Sequence, residues 1–248
     1  MEPIEKESFK KELLLAAERN GLSALLTEEA AEKLYALTVH MLETNEKFNL
    51  TAIKEPDRVI LLHYVDSLLA ARHIPEGASV IDVGCGAGFP SLPLAICRPD
   101  LRITAMDATA KRVEYVRQTA ALLSLDGLSV RTGRAEELGN DPALRERYDV
   151  ATARAVAALP ILSELCMPFV RTGGIFLALK GKNAEAERKE AAGAIAHLGG
   201  RVTHTDETPI IGNEEETFAR AAIVIEKQTK TPKAYPRAYA KILKAPLK

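Results

Sequence analysis

The apolar positions of this chain change their period partway along. In residues 5–19 and 27–44 they recur at three- and four-residue spacing, as Ala30, Leu34, Leu37 and Met41 do in the second stretch. That spacing gathers them on one helix face. Thr27 stands before the run as an N-cap, with Glu28 and Glu29 in the first turn. A third helix is expected over RVILLHYVDSLLAAR, capped by Asp57 after Pro56. From residue 79 short β-branched runs take over. Strands are predicted at 79–84, 102–107, 128–133, 148–153 and 175–181. A short helix should follow the first strand, with longer ones near 109–124 and 158–170. This alternation specifies an α/β fold with a doubly wound, mostly parallel sheet. After a helix near 184–198, RVTHTDETPI and TFARAAIVIEK leave no room for a helix between them. They should pair antiparallel through a hairpin and complete seven strands. The chain divides into an N-terminal helical extension (1–76), a core (77–227) and a tail (228–248), with no internal repeat.

Composition narrows the class. The 248 residues are 47% hydrophobic and 27% charged, which excludes a disordered chain, a collagen and a disulfide scaffold. The three cysteines, Cys85, Cys97 and Cys166, form no CxxC or Cys/His cluster. No metal site and a reducing compartment are expected. Cys85 should be accessible in a loop, and the other two buried. The charged N-terminus lacks an apolar signal core, and no apolar run approaches the roughly 20 residues a membrane span needs. A cytoplasmic monomer is expected. Charge is balanced overall, with 33 basic and 34 acidic groups, but unevenly placed. Residues 227–248 hold seven basic residues and no acid, leaving 26 basic against 34 acidic groups elsewhere. Such a tail suits a polyanion, with Tyr235 and Tyr239 available for base stacking. A frayed, solvated terminus is the competing reading.

The sharpest chemical signal is Asp82-Val-Gly84-Cys-Gly86-Ala-Gly88 at the end of the first strand. Alternating glycines let the backbone turn tightly and approach a bulky ligand. A nicotinamide loop would place its third glycine at 89, where this chain has Phe, followed by Pro90. Asp82 also suits a positively charged ligand better than a diphosphate. Both features favour S-adenosylmethionine (SAM), which carries a sulfonium and an ammonium and no phosphate. A glycine turn without ligand remains the alternative. Asp107, 23 residues after Gly84, ends the second strand, where a carboxylate can accept from both ribose hydroxyls or cap the next helix, as Thr109 also can. Gly133-Arg-Ala135-Glu136 follows the third strand, where adenine would lie and Glu136 or nearby backbone could read its amino group; a plain surface loop is the alternative. Arg154 ends the fourth, suited to a cofactor carboxylate or an RNA phosphate, or to a surface ion pair. No Asp/Asn-Pro-Pro-Tyr/Phe or Pro-Cys motif occurs there, which weighs against exocyclic-amine and cytosine-C5 methylation. His63 and Asp66 share a helix face. They suit a hydrogen-bonded packing pair better than a catalytic dyad. Asn45 and Asn49 suit helix termination and a turn, or an RNA entrance.

Asn45-Glu-Lys-Phe-Asn49-Leu-Thr51-Ala, His63-Tyr-Val-Asp66-Ser67-Leu, Asp82-Val-Gly-Cys-Gly-Ala-Gly88-Phe-Pro, Asp107-Ala-Thr-Ala-Lys111, Arg154-Ala, Lys180-Gly and Tyr235-Pro-Arg237 occur in that order. Together they resemble the bacterial ribosomal RNA small subunit methyltransferase G family, also called glucose-inhibited division protein B, over nearly the whole chain. The resemblance implies a SAM-dependent, Rossmann-like enzyme that methylates N7 of a guanosine in the decoding-region loop of 16S rRNA, on the 30S subunit or an assembly intermediate. The cofactor residues it implies are Gly84, Phe89, Asp107, Ala108, Thr109, Ala135, Glu136 and Arg154. Ser91 stands where the family often has Gly, and the tail lacks the usual Gly-Thr-Pro turn after Arg237.

Guanine N7 carries a lone pair and no proton, so no general base is required and alignment dominates the chemistry. No catalytic residue is therefore assigned beyond a positioning role for Arg154. Lys180, Lys233, Arg237, Lys241 and Lys244 are expected to hold RNA. N7 is hidden in the deep groove of paired RNA, so the target should be a loop base or one flipped out. A methyltransferase for a small molecule or protein is the alternative reading.

Overall fold

The computed structural model describes residues 4–214 and 216–248. Its main sheet has seven strands: β1 (Ser79–Val83), β2 (Arg102–Asp107), β3 (Leu128–Thr132), β4 (Tyr148–Arg154), β5 (Val170–Lys180), β6 (Gly200–Asp206) and β9 (Ala221–Lys227). They lie in the order β3-β2-β1-β4-β5-β9-β6. β1 to β5 are mutually parallel, and β9 runs antiparallel to both its neighbours. The order reverses direction at β1, so a crevice opens outside the carboxyl ends of β1 and β4, where such sheets bind ligands.

Side-chain alternation sorts the strands' residues to two faces. Val80, Ile103, Val150, Leu177 and Val224 pack on one side with Leu94, Ala70 and Ile74. Ile81, Met106, Ala151, Phe176, Ile223 and Ile225 pack on the other with Leu162, Leu165 and Ile195. The first face carries α5 (Ser91–Cys97), and the second carries α8 (Leu159–Cys166), α9 (Ala184–Glu190) and α10 (Ala192–His197). The N-terminal helices α1 (Lys6–Arg19) and α2 (Glu28–Asn45) share a further apolar cluster with Cys85, Phe89 and Leu92 of the glycine loop and α5, and with Tyr115 of α6 (Ala110–Leu122). Thr27 caps α2 as expected, its hydroxyl accepting the Ala30 N–H.

Several expectations need correction. The third helix begins at Pro56 with Glu55 at the cap position, so Asp57 lies in its first turn. It is also not uniform: Pro56–Val59 (α3) leads into a π-helical segment Ile60–Val65, then Asp66–Leu69 (α4) and a 3-10 turn Ala70–His73. The helix near 158–170 stops at Cys166, with a 3-10 turn Met167–Phe169 containing Pro168 before β5. The helix near 184–198 breaks at Ala191. The antiparallel pair is real, but its inner ends leave the sheet. Ile210–Ile211 (β7) and Thr217–Phe218 (β8) form a separate ribbon. Asn20 at the end of α1 draws β7 away, accepting the Ile211 N–H and donating to the Ile211 carbonyl.

The tail is neither frayed nor wholly free. Arg237 is committed to the buried Glu164: Nε donates to Oε1 at 2.9 Å and Nη2 to Oε2 at 2.6 Å. Lys227 is fully buried and donates to the Met167 carbonyl and the Thr231 hydroxyl. Ile242 of α11 (Tyr239–Lys244) is buried too, an apolar contribution of roughly 1.5–3 kcal/mol. Tyr235 stands edge-on to His197, and Tyr239 is half-buried against the same cluster. Both tyrosines are half-buried rather than fully exposed. Lys233, Lys241 and Lys244 remain exposed.

Candidate active site

The turn after β1 takes the conformation its glycines permit. Gly84, Gly86 and Gly88 have φ of +77°, +58° and +86°. A Cβ at Gly88 would lie 2.3 Å from Leu92 Cδ1, so this glycine lets the loop pack on α5. A Cβ at Gly86 would meet nothing within 4 Å, so open space lies over that residue. Gly84 and Cys85 both donate their N–H groups to the Met106 carbonyl at 2.9 Å, which ties the loop to β2. Cys85 is buried rather than accessible, and burial beside Asp82 and Asp107 pushes its thiol pKa well up.

Two carboxylates back this loop. Asp107 accepts the Thr109 N–H on Oδ1 at 2.7 Å and the Gly86 N–H on Oδ2 at 3.1 Å. The helix-start role falls to Asp107, since the Thr109 side chain makes no cap bond. Each Asp107 oxygen receives one backbone donor and keeps a lone pair, so capping and gripping a ribose diol are compatible. Asp82 is fully buried beneath the loop, accepting the Ser91 N–H on Oδ2 while Oδ1 has no partner. Burial pushes its pKa up to about 6, against the opposing pull of Ser91 and Arg154. Ala108 and Thr109 are exposed at the β2 end, and Ala135 and Glu136 are half-exposed on the short helix α7 (Ala135–Leu138) after β3. Gly84, Asp107, Ala108, Thr109, Ala135 and Glu136 thus fall along the carboxyl rim of β1 to β3, whereas the Phe89 side chain is buried behind the loop, in the cluster of the N-terminal helices. The open space over Gly86 and the spare Asp107 lone pairs fit an adenosine lying along it.

A cleft of about 720 Å³ adjoins this rim over β4, β5 and the start of β9. Arg154 stands between the two regions. Its Nη1 donates to Asp66 Oδ2 at 2.7 Å and to the Leu62 carbonyl, and its Nη2 faces His63 Nδ1 at 3.3 Å. His63 and Asp66 are therefore joined through Arg154, not directly to each other. Because a guanidinium only donates, His63 Nδ1 accepts, and Nε2–H donates to the Thr51 hydroxyl at 2.9 Å. Burial and the Arg154 charge bring the His63 pKa down to about 3, so the ring is neutral. It stacks on Phe89 at 4.2 Å between ring centres. Asn45 completes the network: Oδ1 accepts the Leu50 and Thr51 N–H groups, and Nδ2 donates to the Thr51 carbonyl. The NLTA and HxxDSL segments are thus parts of one scaffold behind the glycine loop, while Asn49 is exposed.

The remaining cations are placed less as expected. Lys180 lines the cleft, but its Nζ donates to the Ala157 carbonyl and pairs with Glu187, both at 2.7 Å. Lys233, Arg237, Lys241 and Lys244 do not line it. Sequence reasoning missed Arg220, whose Nε donates to Asp66 Oδ1 at 2.9 Å and whose side chain lines the cleft. The signal was available in principle. β9 is antiparallel, with Ala221 opposite Lys180, so the residue before β9 belongs to the same rim as the end of β5.

A family model described as rRNA small subunit methyltransferase G matches residues 30–211. Proteins named ribosomal RNA small subunit methyltransferase G are similar across most of the chain. The one from Deinococcus radiodurans is 44% identical, covering 88% of this chain and 84% of its own. The one from Acetivibrio thermocellus is 38% identical, covering 98% and 100%. Among solved structures, geranyl diphosphate C-methyltransferase from Streptomyces coelicolor superposes with a TM-score of 0.51 at 15% identity, covering 65% of this chain and 78% of that one. TYW2 from M. jannaschii gives 0.52 at 14% identity, covering 65% and 74%. Sheet order, glycine turn and rim carboxylate, taken with these relatives, define a SAM-dependent methyltransferase with a Rossmann-like core. The chain belongs to the rRNA small subunit methyltransferase G family.

Proposed function

We propose that this protein methylates N7 of a guanosine in the decoding-region loop of 16S rRNA. SAM lies along the β1–β3 rim, with its ribose on Asp107 and its methionine end toward Arg154. The target base enters the cleft over β4 and β5. SAM supplies a methyl group on a cationic sulfur, and N7 takes it with its lone pair without releasing a proton.

One observation carries this reading: the acids and bases lining the cleft are already committed. Asp66 accepts from Arg154 and Arg220, Glu187 from Lys180 and the Leu159 N–H, and Asp206 faces His73 and Thr208. His63 is neutral with both ring nitrogens engaged. Such a cleft suits an acceptor that needs alignment and no deprotonation, as N7 does. No helix among the described residues is long and apolar enough to cross a membrane. A ribosomal substrate makes the protein cytoplasmic, and a single copy supplies every residue invoked here.

The test supplies tritiated SAM with 30S particles from cells lacking the protein, then maps N7-methylguanosine by reverse transcription. Label confined to one 16S guanosine is expected. Label recovered only in small molecules or protein from a cell extract would overturn the assignment.

A further inference from the structure

The loop between β4 and α8 exposes an apolar surface at the boundary of the two regions. Ala155, Val156 and Ala158 are all exposed. Ala155 has φ of +56°, a left-handed conformation that costs a residue with a Cβ about 1 kcal/mol or more. That turn carries the chain back toward the glycine loop. A Cβ at Gly84 would lie 2.7 Å from Val156 Cγ2, so the valine side chain sits directly over Gly84. It also lines the cleft and remains 39% exposed. Of the six large hydrophobic side chains most exposed among the described residues, Val156 alone lines this cleft.

The loop is held from behind. Lys180 Nζ donates to the Ala157 carbonyl, Glu187 accepts the Leu159 N–H at 2.8 Å, and the two side chains pair with each other. A strained backbone, a clamp beneath it and an exposed valine at its apex together describe a fixed apolar platform.

We infer that Val156 is a positioning residue for methyl transfer, an apolar wall against which the face of the acceptor purine rests. This deepens the proposed function. A purine presents a flat π-face, and an aliphatic side chain packs on it without competing for N7. Its site over Gly84 places that contact beside the cofactor rim, where an alignment error is costly.

The test compares Val156→Ala and Val156→Thr with wild type on 30S particles. It measures kcat/KM for the acceptor, SAM affinity by calorimetry, and Tm. Val156→Ala should lower kcat/KM about tenfold, as expected for removing two apolar carbons from a packed surface. SAM affinity should stay within about twofold, with Tm unchanged to within about 2 °C. Val156→Thr, which keeps the shape over Gly84, should fall between the two. Wild-type kcat/KM in Val156→Ala would overturn the inference. So would a loss of SAM affinity by the same factor as kcat/KM, which would make the valine part of the cofactor pocket. If wild-type protein binds SAM yet leaves rRNA unmethylated, it is the proposed function that fails.

Discussion

Asp82 shows how one buried group ties stability to the site. Its carboxyl has a raised pKa because burial penalises the anion. A group with a raised folded pKa adds stability below its unfolded value of about 3.8, and that stability is lost as pH rises through about 6. At pH 7.5 the native state therefore carries an ionised, partly unpartnered carboxylate. Asp82→Asn keeps an oxygen for the Ser91 N–H and removes the charge. The variant should be more stable than wild type at pH 7.5, by up to about 3 kcal/mol. That advantage should shrink by about 1 kcal/mol at pH 5, because wild-type Asp82 is then largely protonated. Urea unfolding at the two pH values measures it, and a pH-independent difference would contradict the assigned shift. His63 titrates in the opposite sense. Its depressed pKa gives stability present above about 6.5 and lost on acidification toward about 3. The comparison must therefore be made between variant and wild type at each pH.

Among elements, the glycine loop makes a graded prediction. Ala at Gly86 meets no neighbour, so Gly86→Ala should cost only the left-handed backbone, about 1 kcal/mol. Gly88→Ala adds a clash with Leu92 inside a packed cluster and should cost about 2–4 kcal/mol. Urea midpoints rank the two, and equal costs would contradict the packing assigned to Gly88. β1 to β5 are legible in the sequence because β-branched runs alternating with helical periods are local signals, and so are the glycine turn and the acid ending β2. The Arg154–Asp66–Arg220 network is not legible there. Its partners lie 88 and 154 residues from Asp66, and only the sheet brings them together. Local pattern likewise merges the small β7–β8 ribbon into longer strands. What detaches it is the Asn20 side chain, 191 residues from Ile211 in the chain.

For the whole molecule, the tail's structural task can be separated from the RNA contact proposed for it. Its composition suits the polyanion contact proposed for it, whereas the fold uses it as a clasp over α8. Deleting residues 229–248 would strip Glu164 of Arg237 and uncover the cluster around Ile242. A loss of about 3–5 kcal/mol is expected from the uncompensated buried carboxylate alone, so deletion would depress SAM binding through unfolding. Replacing the exposed Lys233, Lys241 and Lys244 with Gln leaves the clasp intact. Those variants should bind 30S particles more weakly, with a log–log salt slope shallower by about 0.7–0.9 for each phosphate no longer neutralised. Their Tm and SAM affinity should match wild type. An unchanged salt slope would remove the tail from the RNA interface.

The proposed function divides the crevice into a cofactor rim and an acceptor cleft. A crystal structure with S-adenosylhomocysteine tests that division directly. Density should run along β1 to β3, with both ribose hydroxyls on Asp107 and the adenine beside Ala135 and Glu136, leaving the volume over β4 and β5 clear. Ligand found instead in that second volume, with Asp107 untouched, would contradict it.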